Sequence, residues 1–353
     1  MKSADFLRTL TLKSAVGAYE FQGTRHRARA GLTPFGIVEL PEESTPQEDR
    51  INEARAEAKR RFVGLRRQLL SRFRKTAKPA ANTAAATKAK IKPAVVGLRP
   101  DAVTFISEPV SADAAAVSDR VATVCPDVIV NCAAYTDVDG AQKNPVAALD
   151  ANAWAVRALA RAAEEINAVL VHYSTDFVFG GEATQPYTEQ DEPNPRSAYA
   201  MSKLVGEWFA VAAPQHYVLR VESLFGGPRA KSSVDKILQN LIAGREVRAF
   251  VDRTVTPSYV EDVVSATMAL LNQRSAFGVY HCVNSGWTTW SGIARELAGL
   301  IGKPDAPIVD VPVADVPMLA PRPKYAALSN AKLAAAGVAM PTWQDALRRY
   351  VAR

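Results

Sequence analysis

The chain has 353 residues, of which 48% are apolar and 22% charged, a composition typical of soluble globular proteins. No apolar run approaches the roughly 18 residues of a membrane-spanning helix, and no secretory signal pattern opens the chain. We therefore expect no membrane insertion and a cytoplasmic location. The three cysteines form no C-x-x-C pair and the four histidines are scattered, so the sequence argues against a disulfide scaffold and predicts no metal site.

The net charge of +7 is unevenly distributed along the chain. Residues 1–120 carry 22 Lys and Arg against 13 Asp and Glu, whereas the remainder carries 21 against 23. Such an asymmetry is typical of chains whose parts differ in origin or role. The sequence therefore predicts a basic N-terminal region that is joined to a near-neutral body.

The N-terminal region, residues 1–95, has an atypical pattern. PFGIVEL at 34–40 favours a short strand, and an N-capping sequence begins a basic helix at 46–75. The stretch at 78–94 is rich in Ala, Lys and Pro, which indicates a linker. A basic helix can bind nucleic acid or an anionic membrane, but no nucleic-acid motif accompanies it. We therefore expect a solvated helix that packs one apolar stripe on the body, without a nucleic-acid partner.

The body alternates strands with helices. Apolar strands are predicted at 102–106, 126–134, 168–174 and 216–222, and helices between them at 112–124, 144–166 and 197–213. Strands that are apolar on both faces indicate a parallel sheet covered by helices on both sides. We predict an α/β, Rossmann-like doubly wound core at 96–225, whose first strand and glycine loop are not recognisable, followed by a smaller substrate-binding lobe at 226–353.

Two of the predicted strands end in residues that suit a binding site, because ligands of open parallel sheets bind at the carboxyl ends of strands. The strand at 126–134 ends in small residues, which either form a tight turn or let a flat dinucleotide approach the backbone. The strand at 168–174 runs into Ser174, Thr175 and Asp176, which either cap the strand or contact a ligand.

A third element, the helix at 197–213, favours the functional interpretation. Tyr199 and Lys203 are four residues apart and therefore share one face of that helix. A lysine ammonium near a phenol stabilises the phenolate, so we expect a lowered pKa for Tyr199 and a usable acid near neutral pH. Thr175 would hold the carbonyl oxygen that Tyr199 protonates while a nicotinamide delivers hydride.

Five segments carry a family resemblance over about residues 100–353; in chain order they are PDVIVNCAAYTDVD, HYSTDFVFGG, YAMSK, DRTVTPSYVEDV and RPKYAALSNAKL. Together they resemble the dTDP-4-dehydrorhamnose reductases, which are sugar-nucleotide reductases of the extended short-chain dehydrogenase type. The resemblance implies an enzyme that reduces the 4-keto group of a dTDP-sugar with NADPH or NADH, in dTDP-rhamnose biosynthesis. The resemblance leaves open whether the chain forms a homodimer.

The same resemblance implies roles for individual residues. The catalytic residues would be Thr175, Tyr199 and Lys203. Asp176, next to Thr175, would contact the sugar. The cofactor would be bound on its nicotinamide side by Ala134, Tyr135, Thr136 and Tyr173, together with Tyr199 and Lys203.

The sequence departs from the family pattern at two places. The family opens with a strand and a G-x-x-G-x-x-G phosphate loop, whereas residues 1–120 contain only six glycines and none in that spacing. Glu42 and Glu43 would instead stand before a helix N-terminus, where they would repel a pyrophosphate. After Arg220 the chain continues with Val, Glu222 and Ser, where the family usually has T-S-W.

These departures leave three hypotheses open. The chain is an active reductase that binds its cofactor in an altered way, or a non-catalytic sugar-nucleotide-binding or regulatory protein that kept the fold and lost cofactor binding. In the third hypothesis, residues 1–95 are not the natural partner of the body, through a fusion, a frame disruption or a wrong start. The intact Thr175, Tyr199 and Lys203 favour the first, and the shift in composition near 95–100 favours the second or third.

Overall fold

The computed structural model describes residues 31–33, 36–38, 114–227 and 230–353. The chain divides into two compact units, and residues 31–38 belong to one of them and residues 114–353 to the other. In the first unit, β1 (Gly31–Thr33) pairs antiparallel with β2 (Gly36–Val38). Strand β2 falls within the strand predicted at 34–40. The predicted helix at 46–75, the linker at 78–94 and the strand at 102–106 lie outside the described residues.

Four parallel strands form the main sheet of the second unit: β3 (Val128–Asn131), β4 (Val169–Thr175), β5 (His216–Val221) and β10 (Gly278–His281). Their spatial order is β10–β5–β4–β3. The three strands predicted at 126–134, 168–174 and 216–222 are therefore present. They read as nearly continuous apolar runs because helices cover both faces of the sheet.

One face of the sheet is covered by α1 (Ala114–Val124), α4 (Ala155–Glu165) and α5 (Ala198–Ala210), which enclose Leu170 and Val218 in one core. The other face is covered by α7 (Val260–Gln273) and α9 (Ala331–Ala335), around Val171 and Leu219. Helices on both faces of a parallel sheet are the architecture of doubly wound proteins. The predicted fold class of the body is confirmed.

The helix predicted at 144–166 is divided in the structure. After α2 (Val138–Lys143), Asn144 caps the short helix α3 (Pro145–Leu149), and a π-helical stretch, Asp150–Trp154, leads into α4. A π-helical turn carries an extra residue and shifts the side chains that follow it around the helix axis. This shift accompanies the complete burial of Asn152, which belongs to the site described below.

The smaller lobe has a core of its own, which includes Phe225, Leu241, Ile293 and Trp343. Its helices are α6 (Ser233–Ile242), α8 (Trp290–Leu300) and α10 (Trp343–Val351). Its short strands pair as β6 (Leu224–Phe225) with β9 (Ser258–Tyr259), β7 (Val247–Phe250) with β12 (Ile308–Val311), and β8 (Thr254–Val255) with β11 (Thr288–Thr289). Because α7 and β10 return to the main sheet, the chain after residue 225 contributes to both lobes. The domain boundaries at 95 and 225 stay predictions.

Candidate active site

The carboxyl end of β4 carries the first part of the site. Thr175, the last residue of β4, accepts a hydrogen bond from the Phe177 backbone N–H (3.3 Å) and so begins the 3-10 turn Asp176–Val178. Its hydroxyl donates to Asp176 Oδ1 at 3.0 Å, and both side chains are buried. The capping role and the ligand role that the sequence left open are therefore compatible, because the same turn that ends the strand gathers a hydroxyl and a carboxyl.

Helix α5 supplies the second part of the site. Ser197 caps the helix by accepting a hydrogen bond from the Ala200 backbone N–H (3.2 Å), so Tyr199 falls in the first turn and Lys203 one turn later. The Lys203 side chain is buried, and its Nζ donates to the Tyr173 carbonyl oxygen at 2.6 Å. Burial lowers the pKa of Lys203 to about 8. The lysine thus fastens α5 to β4.

The pKa predicted for Tyr199 is wrong in direction. Loss of hydration raises the pKa of the Tyr199 phenol to about 12, and a hydrogen bond with the Thr175 hydroxyl opposes this only in part. The Phe177 ring stands edge-on to the Tyr199 ring at 5.6 Å and excludes water from one side. Lys203 does not compensate, because its ammonium is directed at the Tyr173 carbonyl. Tyr199 is therefore a proton-holding acid at neutral pH.

The loop that follows β3 is the third part of the site. Ala134 and Tyr135 are half-buried in it, and Thr136 is exposed. Asn152, completely buried, holds this loop: its Oδ1 accepts from the Tyr135 N–H (2.8 Å), and its Nδ2 donates to the Tyr135 carbonyl oxygen (3.0 Å). The same Nδ2 donates to Ser202 Oγ at 2.9 Å, so the loop is tied to α5.

Gly206 permits this connection. A Cβ at position 206 would lie 2.0 Å from the Asn152 carbonyl oxygen, so α5 approaches the π-helical stretch as closely as the backbones allow. Asn152 was not among the predicted site residues. The only sequence signal for it was a polar residue within an alanine-rich helix, and such residues more often face solvent.

Tyr173 does not contribute its side chain to the site. Its hydroxyl forms a 2.8 Å hydrogen bond with Thr267 on α7, on the opposite face of the sheet from α5. Its backbone carbonyl, which accepts the hydrogen bond from Lys203, faces α5. The other predicted residues, on the β3 loop, the end of β4 and α5, are brought together at one edge of the sheet.

A buried cluster of charged groups lies beside Thr175. Glu222 directly follows β5, and its Oε2 accepts a hydrogen bond from the Thr256 N–H at 2.8 Å. Burial raises the pKa of Asp176 to about 7 and the pKa of Glu222 well above its ordinary value, although the positive charge of Arg253 opposes both shifts. The Arg253 guanidinium stands 5.6 Å from the centre of the Phe177 ring. Arg253 was missed at the sequence level because it is distant in sequence from the strand ends.

An ion pair joins the C-terminal part of the chain to this edge of the sheet. Arg322 donates to both carboxylate oxygens of Asp139 on α2, at 2.6 and 2.8 Å, and this pairing lowers the pKa of Asp139 to about 2. Downstream, the Tyr325 N–H donates to the Gly181 carbonyl oxygen at 3.2 Å. The RPKYAAL segment therefore passes next to the turn that follows β4.

Comparison with known proteins places the chain in a family. The family model described as RmlD substrate binding domain matches residues 71–353. The chain belongs to this family. The match confirms the resemblance found over about residues 100–353 and begins about thirty residues earlier. One relative is the dTDP-4-dehydrorhamnose reductase of Mycobacterium tuberculosis (strain ATCC 25618 / H37Rv). The two sequences are 38% identical over 64% of this chain and 76% of the relative.

Another relative of the RmlD family is the dTDP-4-dehydrorhamnose reductase of Sinorhizobium fredii, with 33% identity over 67% of this chain and 83% of the relative. Among solved structures, the dTDP-4-dehydrorhamnose reductase of Clostridium acetobutylicum is 31% identical, covers 68% of this chain and 85% of its own, and superposes with a TM-score of 0.64. That of Bacillus anthracis, solved in complex with NADP, has 29% identity, the same coverage and a TM-score of 0.64.

The described residues fit one end of a nicotinamide cofactor. Next to the small residues of the β3 loop, the buried Lys203 amine and the Tyr199 phenol lie on one face of α5. These two hydrogen-bond donors suit a ribose and a reacting carbonyl. Within the described ranges no strand pairs with the outer edge of β3, and no glycine-rich turn follows a strand there. The same ranges contain no helix that could span a membrane and no cluster of His, Cys, Asp and Glu that could hold a metal ion.

Proposed function

We propose that the chain is an NADPH-dependent reductase that converts the 4-keto group of a dTDP-sugar to an alcohol, in dTDP-rhamnose biosynthesis. One observation carries the proposal: Thr175 at the end of β4 and Tyr199 and Lys203 on α5 converge at the carboxyl edge of a doubly wound sheet. The names of the relatives support the substrate class, and the NADP complex of the Bacillus anthracis relative supports the cofactor.

The chemistry of these residues suits carbonyl reduction. NADPH, when bound, supplies the hydride. Tyr199 keeps its proton at neutral pH because its pKa is about 12, yet it can protonate the alkoxide that develops on the carbonyl oxygen, which is a stronger base than the phenolate. Thr175 would orient that oxygen by a hydrogen bond. Lys203, held by the Tyr173 carbonyl, would hold the cofactor ribose.

The neighbouring residues would bind the two ligands. Ala134, Tyr135 and Thr136 would line the nicotinamide side, on the loop that Asn152 fixes. Asp176 would contact the sugar. The three free cysteines fit a reducing compartment such as the cytoplasm, which we propose as the location. A homodimer and the lack of a nucleic-acid partner stay predictions.

The first test is a fluorescence titration of the purified chain with NADPH and with NADH, followed by an NADPH oxidation assay with a dTDP-4-keto-sugar. We expect binding and turnover, and we expect Tyr199→Phe to lower kcat by about 10²–10⁴-fold, the usual contribution of a general acid, with nearly unchanged NADPH affinity. Tyr350→Phe, which is half-buried against the core of the smaller lobe, is the matched control and should retain kcat.

Two outcomes of this test would contradict the proposal. Failure of both dinucleotides to bind would favour the non-catalytic sugar-nucleotide-binding protein. Binding with turnover that Tyr199→Phe leaves unchanged would exclude Tyr199 as the acid.

A further inference from the structure

A continuous series of proton-carrying groups leads away from the proposed acid. The Thr175 hydroxyl interacts with the Tyr199 phenol by a hydrogen bond on one side, and on the other side it donates to Asp176 Oδ1 at 3.0 Å. Thr175 is 6% exposed and Asp176 3%, so bulk water does not interrupt the series. Phenol, hydroxyl and carboxyl thus follow one another at the end of β4.

A second buried carboxyl, that of Glu222, acts on Asp176 through its charge. Glu222 is 2% exposed and interacts electrostatically with Asp176. Asp176 Oδ2 and Glu222 Oε1 are both buried and have no hydrogen-bond partner among the residues that the structure describes. Two such carboxyls beside the guanidinium of Arg253 cannot both ionise readily, so the pair retains a proton near neutral pH.

We propose that Asp176 returns a proton to Tyr199 through the Thr175 hydroxyl after each reduction, and that Glu222 keeps a second proton available to Asp176. The inference rests on the proposed reductase function and deepens it. Every reduction of a ketone by NADPH consumes one proton, and an acid as weak as Tyr199 must recover that proton before the next turnover.

The proton transfers balance in the following order. The Tyr199 O–H bond breaks as its proton joins the carbonyl oxygen, whose carbon has received the hydride, and an alcohol forms. The Tyr199 phenolate takes the proton of Thr175, and Thr175 takes the proton of Asp176. The Asp176 carboxylate then accepts a proton from Glu222 or from solvent as the product leaves. One solvent proton is consumed for each NADPH oxidised.

Several titratable or charged groups face this carboxyl pair. They are Tyr199 from α5, Arg253 from the segment before β8, and Tyr325 from the segment that follows Arg322. The buried hydroxyl of Tyr325 also has no partner among the described residues. Arg322 acts on Arg253 by charge repulsion. Tyr199, Tyr325 and Arg253 titrate well above neutrality, so a pH dependence near 7 would belong to the carboxyl pair.

Rapid-mixing kinetics of NADPH oxidation test the relay directly, with wild type, Asp176→Asn, Glu222→Gln and the exposed control Asp305→Asn. At a dTDP-sugar concentration that saturates each variant, so that a weaker sugar contact at position 176 does not limit the rate, we expect Asp176→Asn to retain a fast first turnover of about one NADPH per chain, since the Tyr199 proton is already in place, and then to slow at least tenfold. Wild type and Asp305→Asn should show no such burst. Equal loss of burst and steady state in Asp176→Asn, or loss of neither, would overturn the relay.

Glu222→Gln supplies a second, independent test through the pH profile of kcat. At pH 6 we expect nearly wild-type turnover, because Asp176 is still protonated. Above about pH 7 turnover should fall tenfold per pH unit, since the introduced amide has no proton to give, whereas wild type should fall less steeply. Superimposable profiles of wild type and Glu222→Gln would remove Glu222 from the relay.

A readout without turnover separates this inference from the proposed function. Infrared difference spectra of the chain alone should show, in wild type, a carboxyl that titrates near pH 7; Asp176→Asn should lose this titrating band, even though protonated Glu222 is still present. Absence of that carboxyl in wild type would contradict the relay. A wild-type chain that shows the carboxyl but oxidises no NADPH with a dTDP-4-keto-sugar would instead contradict the reductase function.

Discussion

The carboxyl ends of β4 and β3 lie next to each other in the sheet, but they are built differently. The end of β4 is buried, and its hydroxyl, carboxyl and backbone groups are hydrogen-bonded to each other and to α5. The loop after β3 is more open, and Asn152 is the side chain that ties it to the helices. The part of the site that would carry out proton transfer is thus set by dense packing, whereas the part that would receive the cofactor depends on a few polar contacts.

The largest effect on stability is expected from breaking the buried ion pair between α5 and β5. Glu207 on α5 accepts two hydrogen bonds from Arg220 on β5, at 2.9 and 2.8 Å, and both side chains are almost fully buried. Glu207→Ala would leave an unpaired buried guanidinium and should lower the free energy of unfolding by about 3–5 kcal/mol in urea denaturation. Asp310→Ala, which breaks an exposed pair with Arg295 and a hydrogen bond from Ser291, is the control and should cost much less. Equal losses would mean that burial of the Glu207 pair is unimportant.

A smaller effect is expected where α5 meets the π-helical stretch. Gly206→Ala would place its Cβ against the Asn152 carbonyl oxygen and should destabilise the chain by about 1–3 kcal/mol, as overpacking does. Gly299→Ala on α8 is the matched control, because no atom lies within 4 Å of the added carbon there, and it should be neutral or stabilise by up to about 1 kcal/mol. Thermal unfolding of the two variants decides the matter, and a harmless Gly206→Ala would contradict the close approach.

The β3 loop should respond in ligand affinity more than in rate. Asn152→Ala removes the three contacts that fix the loop, so we expect NADPH affinity to weaken by about tenfold, the loss of roughly one hydrogen bond, while kcat changes less. Fluorescence titration measures the affinity. Asn240→Ala, whose side chain binds Arg245 on the surface, should leave the affinity unchanged. A fall in kcat with intact affinity would indicate that Asn152 serves the catalytic helix instead.

The smallest effect concerns the Asp139–Arg322 ion pair. The pKa of Asp139 is lowered in the folded state, so its contribution to stability is present above the unfolded pKa of about 3.9 and is lost as the pH falls toward 2. Because the Asp139 side chain is 42% exposed, the contribution should stay below about 1 kcal/mol. The difference in unfolding free energy between wild type and Asp139→Asn, measured from pH 6 to pH 2.5, should shrink with falling pH. A constant difference would contradict this assignment.

The alternation of apolar strands and helices was sufficient to predict the sheet and most helix positions, because burial on both faces leaves a strong pattern in β3, β4 and β5. The π-helical stretch was not predictable, since it depends on a contact between Asn152 and Gly206, fifty-four residues apart. Residues 1–30 and 39–113 lie outside the described residues, so the predictions there stay predictions.

The site was predictable at the level of residue type and less so at the level of environment. Thr175, Tyr199 and Lys203 were found from their order and spacing. The direction of the Tyr199 pKa shift was missed, because a helical spacing shows which residues are neighbours but not how far each is buried or where Lys203 donates. Tyr173 was assigned to the nicotinamide side of the cofactor by the family resemblance, yet its hydroxyl bonds to Thr267 on the other face.

The most direct test of the reductase function is the fate of the hydride. The chain should be incubated with NADPH that carries deuterium at nicotinamide C4 and with a dTDP-4-keto-hexulose, and the product should be examined by NMR. We predict one deuterium at sugar C4, with Tyr199→Phe giving little product under the same conditions. A product without deuterium at C4, or deuterium transfer that proceeds equally well in Tyr199→Phe, would contradict the assignment of this site.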